Sequence, residues 1–277
     1  MVQHQNTSPT FDGQCLKYLA PVISEPRREP PVVYYVNGIN TSGKEHMKTA
    51  LILSLVTEGW VHGIYNRTEG MVRDLAQCAA DWLAVARLRL RERIGAVSSS
   101  PPGDPVVWNQ ATLKVYKEIT SPQRLRQWKY IVCHSQGNLI VANALLYLSV
   151  ANRSLAEQVF PTLRVYSLAS PSPAWPELLR RTHGGGGRLV YGYSDDIVTW
   201  CDPHNWPPLQ RTPFRRAEGD WRQAGSPGIT QHDVNRWHFL DTNFTRGIRR
   251  DLNLSGQISS VVTDSQKLQE MIDLMTK

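Results

Sequence analysis

The chain has 277 residues, 41% of them hydrophobic and 20% charged, which is enough apolar material for one large domain with a buried core. Thirty-one lysines and arginines against 24 acidic residues leave a formal charge of +7. No apolar run reaches the roughly 18 residues of a spanning helix, and MVQHQNTSPTFDGQ lacks the basic-then-apolar order of a secretory leader.

Residues 1–30 are proline-bearing and without a sustained period, and read as an irregular arm with one short strand near Tyr18 to Ile23. Val32-Val33-Tyr34-Tyr35-Val36 is an unbroken β-branched and aromatic run, the pattern of a strand covered on both faces. It ends in Asn37-Gly38-Ile39-Asn40. Ser42 and Glu45 have capping-box spacing, and Met47, Leu51, Leu55 with Ile52, Val56 follow at helical intervals. Trp60 to Tyr65 is short enough for a second strand. Met71, Leu75, Cys78, Ala79, Trp82, Ala86 and Leu90 recur at three- and four-residue steps, which predicts a long amphipathic helix with these residues on its packed face. VSSSPPGDP, residues 97–105, reads as a loop, and Val107 to Ile119 as another helix.

The central stretch is Tyr130-Ile131-Val132-Cys133-His134-Ser135-Gln136-Gly137-Asn138. A β-branched run stops at small and polar residues, and Leu139, Ile140, Val141, Ala142, Ala144, Leu145 and Leu146 then continue for far longer than a strand. The order is strand, abrupt turn, helix. A serine at such a turn stands at the carboxyl end of its strand, facing water, with backbone N–H groups of the helix aimed back at it. Gly137 is needed because the helix must start close to the strand, where a Cβ would clash. His134 points to the opposite side from its neighbours and reads as packing under the turn.

His134-Ser135-Gln136-Gly137 resembles the nucleophile elbow of the α/β-hydrolase superfamily, Gly-x-Ser-x-Gly, with Cys133 standing in for the first glycine. The resemblance spans about residues 32–255. It implies an α/β fold, with a mostly parallel central sheet flanked by helices on both faces, in one domain over residues 31–277. It also implies a serine esterase or lipase that needs no metal or organic cofactor. By the same likeness Asn37-Gly38 resembles the His-Gly loop that carries an oxyanion donor. Ile39 and Gln136 would then supply the two backbone N–H groups. Asn-Gly is equally the sequence of a turn chosen for positive φ.

Leu163 to Ala169 and Leu189 to Tyr193 read as further strands, Pro176 to Arg181 as a short helix, and Gly184 to Gly187 as a plain connection. Ser194-Asp195-Asp196-Ile197-Val198 follows, and the family resemblance makes Asp196, or its neighbour Asp195, the acid of a Ser-His-Asp triad. The base then lies after it in the chain. Three histidines qualify: His238, before Phe239-Leu240 and the Phe244, Ile248, Leu252 stripe, is the first choice; His232 and His204 are the others. Residues 200–237, rich in proline, tryptophan and arginine, form an irregular excursion that could wall a site mouth. A last helix is expected over Thr263 to Met275.

The arginines cluster at Arg87, Arg89, Arg91 and Arg93, at Arg211, Arg215 and Arg216, and at Arg246, Arg249 and Arg250. They read as solvated faces, and as a surface suited to an anionic membrane that presents a lipid ester. No nucleic-acid-binding signature accompanies them. Cys15, Cys78, Cys133 and Cys201 are scattered without metal-ligand spacing, and read as reduced thiols in a cytoplasmic protein, export as a signal-less effector remaining open. The rival reading keeps the scaffold and drops the chemistry: a non-catalytic member that binds a partner.

Overall fold

A computed structural model of the chain describes residues 7–21, 23, 25, 26, 31–95, 109–180, 187–193, 221–222 and 242–254. In order these contain β1 (Cys15–Tyr18), β2 (Val32–Val36), α1 (Gly43–Thr57), β3 (Val61–Ile64), α2 (Met71–Arg93) and α3 (Gln110–Ile119). Next come β4 (Lys129–His134), α4 (Gln136–Ala151), α5 (Arg153–Val159), β5 (Leu163–Leu168), α6 (Glu177–Arg180), β6 (Gly187–Tyr193), β7 (Trp221–Arg222) and α7 (Thr242–Asp251). The strands form one sheet in the order β1-β3-β2-β4-β5-β6-β7. All neighbours are parallel except β1, which runs antiparallel to β3 and occupies the edge.

Period-two alternation sorts the strand side chains into two cores. Val33, Tyr35, Val132, Tyr166 and Leu168 join Leu51, Ile52 and Val56 of α1 and Phe244 and Ile248 of α7 on one face. Val32, Tyr34, Val36, Ile131 and Val165 join Val85 and Leu88 of α2, Val115 of α3 and the residues of α4 on the other. Helices thus cover both faces, as an α/β class requires. Every residue of α4 from Gln136 to Val150 is buried, because the helix lies between the sheet and α2 and α3.

Local chemistry explains the boundaries. Ser42 and Glu45 complete the capping box at α1. Asn109 caps α3 by accepting from the Thr112 N–H at 2.7 Å, so that helix starts three residues after the expected Val107. The strand expected near Tyr18 to Ile23 lies at Cys15–Tyr18, and β7 arises inside the excursion where no periodicity marks it. Residues 97–105, Asp195, Asp196, Cys201, His204, His232, His238 and the helix expected at 263–275 lie outside the described residues.

One face assignment is corrected. The buried residues of α2 include Asp74, Asp81, Ala84, Val85 and Leu88, while Leu75 and Leu90 are exposed. The helix is rotated from the orientation its apolar spacing suggests because Asp74 and Asp81 carry hydrogen bonds inward to the loops described below. No helix among the described residues is long and apolar enough to cross a membrane.

Candidate active site

The strand order has one reversal point. From β2 the chain passes through α1 to β3 on one side, and from β4 it passes through α4 to β5 on the other. In open parallel sheets the crevice beyond the carboxyl ends of the strands at such a reversal is where ligands bind. The turns leaving β2 and β4 meet there: Asn37-Gly38-Ile39 and Ser135.

Ser135 has φ 53° and ψ −125°, a backbone conformation that a residue with a Cβ adopts only when its surroundings enforce it. The enforcement is visible. The Ser135 N–H donates to Leu168 O at the end of β5 (3.1 Å). Asn138, in the first turn of α4, turns its side-chain amide back to donate to Ser135 O (3.0 Å) and Leu168 O (2.8 Å). Its Oδ1 accepts from the Ser167 hydroxyl and from the Cys133 thiol. Cys133 therefore fits where the resembled pattern has glycine because its side chain is taken up by Asn138 and Tyr166 O on the α4 side of the sheet. Burial pushes its thiol well above the usual range, which removes it as a nucleophile.

Two glycines allow the crowding. A Cβ on Gly38 would stand 2.5 Å from Ser135 Cβ and 3.1 Å from Ser135 Oγ. A Cβ on Gly137 would stand 2.4 Å from Val36 O and 2.9 Å from Asn37 O, so the backbone that demands this glycine belongs to β2 and its loop. Gly38 is not among the positive-φ residues; that conformation falls on Asn40, at 53°. The Asn-Gly pair is thus a close approach of backbone to the serine, not a positive-φ turn. The same approach explains why Ser135 is only 3% exposed, where the sequence suggests a water-facing corner.

The β2 loop is held from three sides. Asn37 donates through Nδ2 to Gly38 O and Asn66 O, both at 2.8 Å, and accepts at Oδ1 from the Asn66 N–H (2.9 Å). His46 Nδ1 also lies 2.8 Å from that oxygen, so the proton of its neutral ring sits on Nδ1. Burial pushes the His46 pKa down to about 3. The Asn40 N–H donates to Asp74 (3.2 Å), and Tyr65 OH donates to Thr41 O (3.1 Å).

From Asn66 the bonding continues into α4 and α2. Asn66 Nδ2 donates to Gln136 Oε1 (2.8 Å), and Gln136 Nε2 donates to Asp81 Oδ2 (2.8 Å). Burial pushes the Asp81 carboxyl up to about 7, against the bond from Gln136 that favours its anion; the charge of Asp12 adds to the rise. His46, Asn66, Asp81 and Asn138 were not singled out from the sequence. Asp81 carried a signal, an acid three residues after Cys78 and four before Val85 on an apolar helix.

No protein-family model, curated protein or solved structure matches the chain.

Of the candidate residues, Ser135, Gln136 and Ile39 come together at the reversal point: Gln136 opens α4 directly after the serine, and Ile39 follows the glycine packed on it. Asp196 and His238 lie outside the described residues. Among those described, no group of three or more His, Cys, Asp or Glu could hold a metal ion. A cavity of about 430 Å³ between the ends of α2 and α4 is lined by Arg89, Arg91, Arg93 and Arg153. It opens at Ser149, about 20 Å along α4 from the serine. Arg89 is committed there to Glu92 and Glu177.

Proposed function

We propose that the protein is a serine hydrolase of carboxylic esters, a lipase or carboxylesterase built on the α/β-hydrolase scaffold, with Ser135 as nucleophile. The observation that carries this reading is the Ser135 backbone at φ 53°, ψ −125°, at the sheet's reversal point, with a glycine backbone packed on its Cβ and Oγ. Such a conformation costs about 1–3 kcal/mol in a residue that carries a Cβ. What it does is hold an oxygen beside the N-terminal N–H groups of a buried helix, the arrangement acyl transfer uses.

In this mechanism Ser135 Oγ attacks the ester carbonyl while His238 takes its proton, and Asp196 holds the imidazole tautomer and stabilises the imidazolium. The oxyanion receives the Gln136 and Ile39 N–H groups, each donor contributing roughly 3 kcal/mol in other enzymes. His238 gives its proton to the leaving alcohol. Water, deprotonated by His238, then displaces Ser135 from the acyl-enzyme and releases the acid. The chain topology supports these assignments. β6 is parallel to β5 and β4, so the chain leaves Tyr193 at the edge where Ser135 sits. Asp196 follows Tyr193 by three residues in the sequence, and β6 is about 10 Å from β4 across the sheet. His238 precedes the start of α7 by four residues.

The +7 charge supports a lipid ester in an anionic surface as the substrate. Wild-type protein should then be labelled by a fluorophosphonate at Ser135 and hydrolyse p-nitrophenyl acetate, and Ser135→Ala should do neither. Equal rates from the two proteins would end the proposal. The 3% exposure of Ser135 is also what a non-catalytic scaffold would have, and the absence of any labelling of wild type would favour that second reading.

A further inference from the structure

We propose that Asp81 is a positioning residue that sets the spacing of the two oxyanion donors, through a relay of side-chain amides linking α2 to both site loops. The inference rests on the serine-hydrolase reading above and deepens it. The relay is continuous: Asp81 Oδ2 accepts from Gln136 Nε2, Gln136 Oε1 accepts from Asn66 Nδ2, and the Asn66 backbone exchanges two bonds with the Asn37 side chain. Asn37 in turn donates to Gly38 O. Each of these bonds is 2.8 or 2.9 Å, and each is buried.

The two ends of the relay are the two donors' own segments. Gln136 is at once the residue whose backbone N–H faces the oxyanion and the one whose side chain is gripped on both sides. Gly38 is the residue before Ile39. A side-chain amide has one donor end and one acceptor end, so the direction of the relay matters. Asn66 presents its N–H₂ to Gln136, which leaves Gln136 presenting its own N–H₂ to α2. Only an acceptor can stand there, and Asp81 supplies it from the buried face of the helix. Asn143 Nδ2, bonded to the Asp81 backbone carbonyl at 3.3 Å, ties the same turn of α2 to α4. Removing the acceptor releases the Gln136 amide to rotate, which breaks its bond with Asn66 and loosens the β2 loop relative to α4. A misplacement of about 1 Å at a reacting centre costs on the order of a hundredfold in rate.

The test uses the full chain with p-nitrophenyl acetate and fluorophosphonate labelling, with folding checked by thermal melts. Asp81→Ala should lower kcat about ten- to a hundredfold with KM within about twofold, and slow labelling of Ser135 by a similar factor. Asp81→Asn, whose Oδ1 accepts the same bond, should keep kcat within about threefold of wild type; a structural role dependent on the charge would not be rescued this way. Gln136→Met should resemble Asp81→Ala, and the double variant should be no slower than either single one. Should Asp81→Ala fail to fold, the Asn rescue and the Gln136→Met loss decide the matter alone. Unchanged kcat in folded Asp81→Ala, loss in Asp81→Asn equal to that in Asp81→Ala, or unchanged kcat in Gln136→Met overturns the relay while leaving the hydrolase reading intact. A wild-type protein that is neither labelled nor active overturns both.

Discussion

Replacing Gly38 with alanine tests the site where its geometry is tightest. The added methyl would lie 2.5 Å from Ser135 Cβ and 3.1 Å from both Ser135 Oγ and His134 O. Carbon atoms rest about 3.5–4.0 Å apart, so about 1 Å has to be made up by the β2 loop or by the serine. Neither is free to give. The loop is bonded through Asn37, Asn40 and Thr41, and the serine carbonyl is held by Asn138. Overpacking of this kind costs about 1–3 kcal/mol of stability. On the proposed mechanism the same displacement moves the Ile39 N–H away from the oxyanion, for a loss of roughly a hundredfold in kcat. Steady-state kinetics on p-nitrophenyl acetate, with a urea unfolding curve on the same sample, reads both effects. A Gly38→Ala protein that keeps kcat within twofold would mean that the β2 loop and the serine do not form one site.

Ser135→Gly should abolish hydrolysis yet raise stability by about 1 kcal/mol, because glycine relieves the strained backbone at a smaller cost in chain entropy; an unfolding midpoint at or below that of wild type would show that no strain is stored there. Asp81 and His46 oppose each other in pH. Asp81, raised from 3.8 to about 7, contributes stability that is full below pH 4 and lost as pH rises through 7, whereas His46, lowered from 6.5 to about 3, contributes stability that is full above pH 6.5 and lost as pH falls through 3. Each is worth roughly 4–5 kcal/mol at most, so they nearly cancel in wild type. Asp81→Asn should therefore gain stability over wild type as pH rises from 4 to 7, and parallel curves would contradict it. Asp251, at the end of α7, accepts from Arg164 and from the Tyr166 hydroxyl at 2.5 Å. Asp251→Ala removes the acceptor of both bonds and should cost roughly 2–3 kcal/mol in urea unfolding; a change under about 0.5 kcal/mol would remove the pair from the account.

The parts of the fold that were legible in the sequence are those written locally. Val32 to Val36 and the capping box at Ser42 each announce themselves within a few residues, and strand and helix follow as expected. The strand, turn and helix around Ser135 are legible for the same reason: a β-branched run, a small polar turn and a long apolar helix adjoin. What was not legible depends on partners distant in the chain. The face of α2 is set by Asp81 meeting a residue 55 positions away, and Asn66 meets one 70 away. Apolar spacing alone turns that helix toward Leu75 and Leu90 because it has no means of weighing two buried acids that the site itself satisfies. β7 is two residues long, too short for any period. Asn37-Gly38 was legible as a special place but not as to cause, since the serine that needs the missing Cβ lies almost a hundred residues later.

The contact of Gly137 with Val36 O and Asn37 O makes one solid block of the helix start and the neighbouring strand end. A corner fused in this way has no joint. On the proposed hydrolase reading, adaptation to bulkier or smaller esters would come from chain that enters the crevice from elsewhere, while the serine stays fixed like an anvil. The geometry around the serine and the shape of the crevice can then drift independently, the first guarded by two missing methyl groups and the second left to the rim.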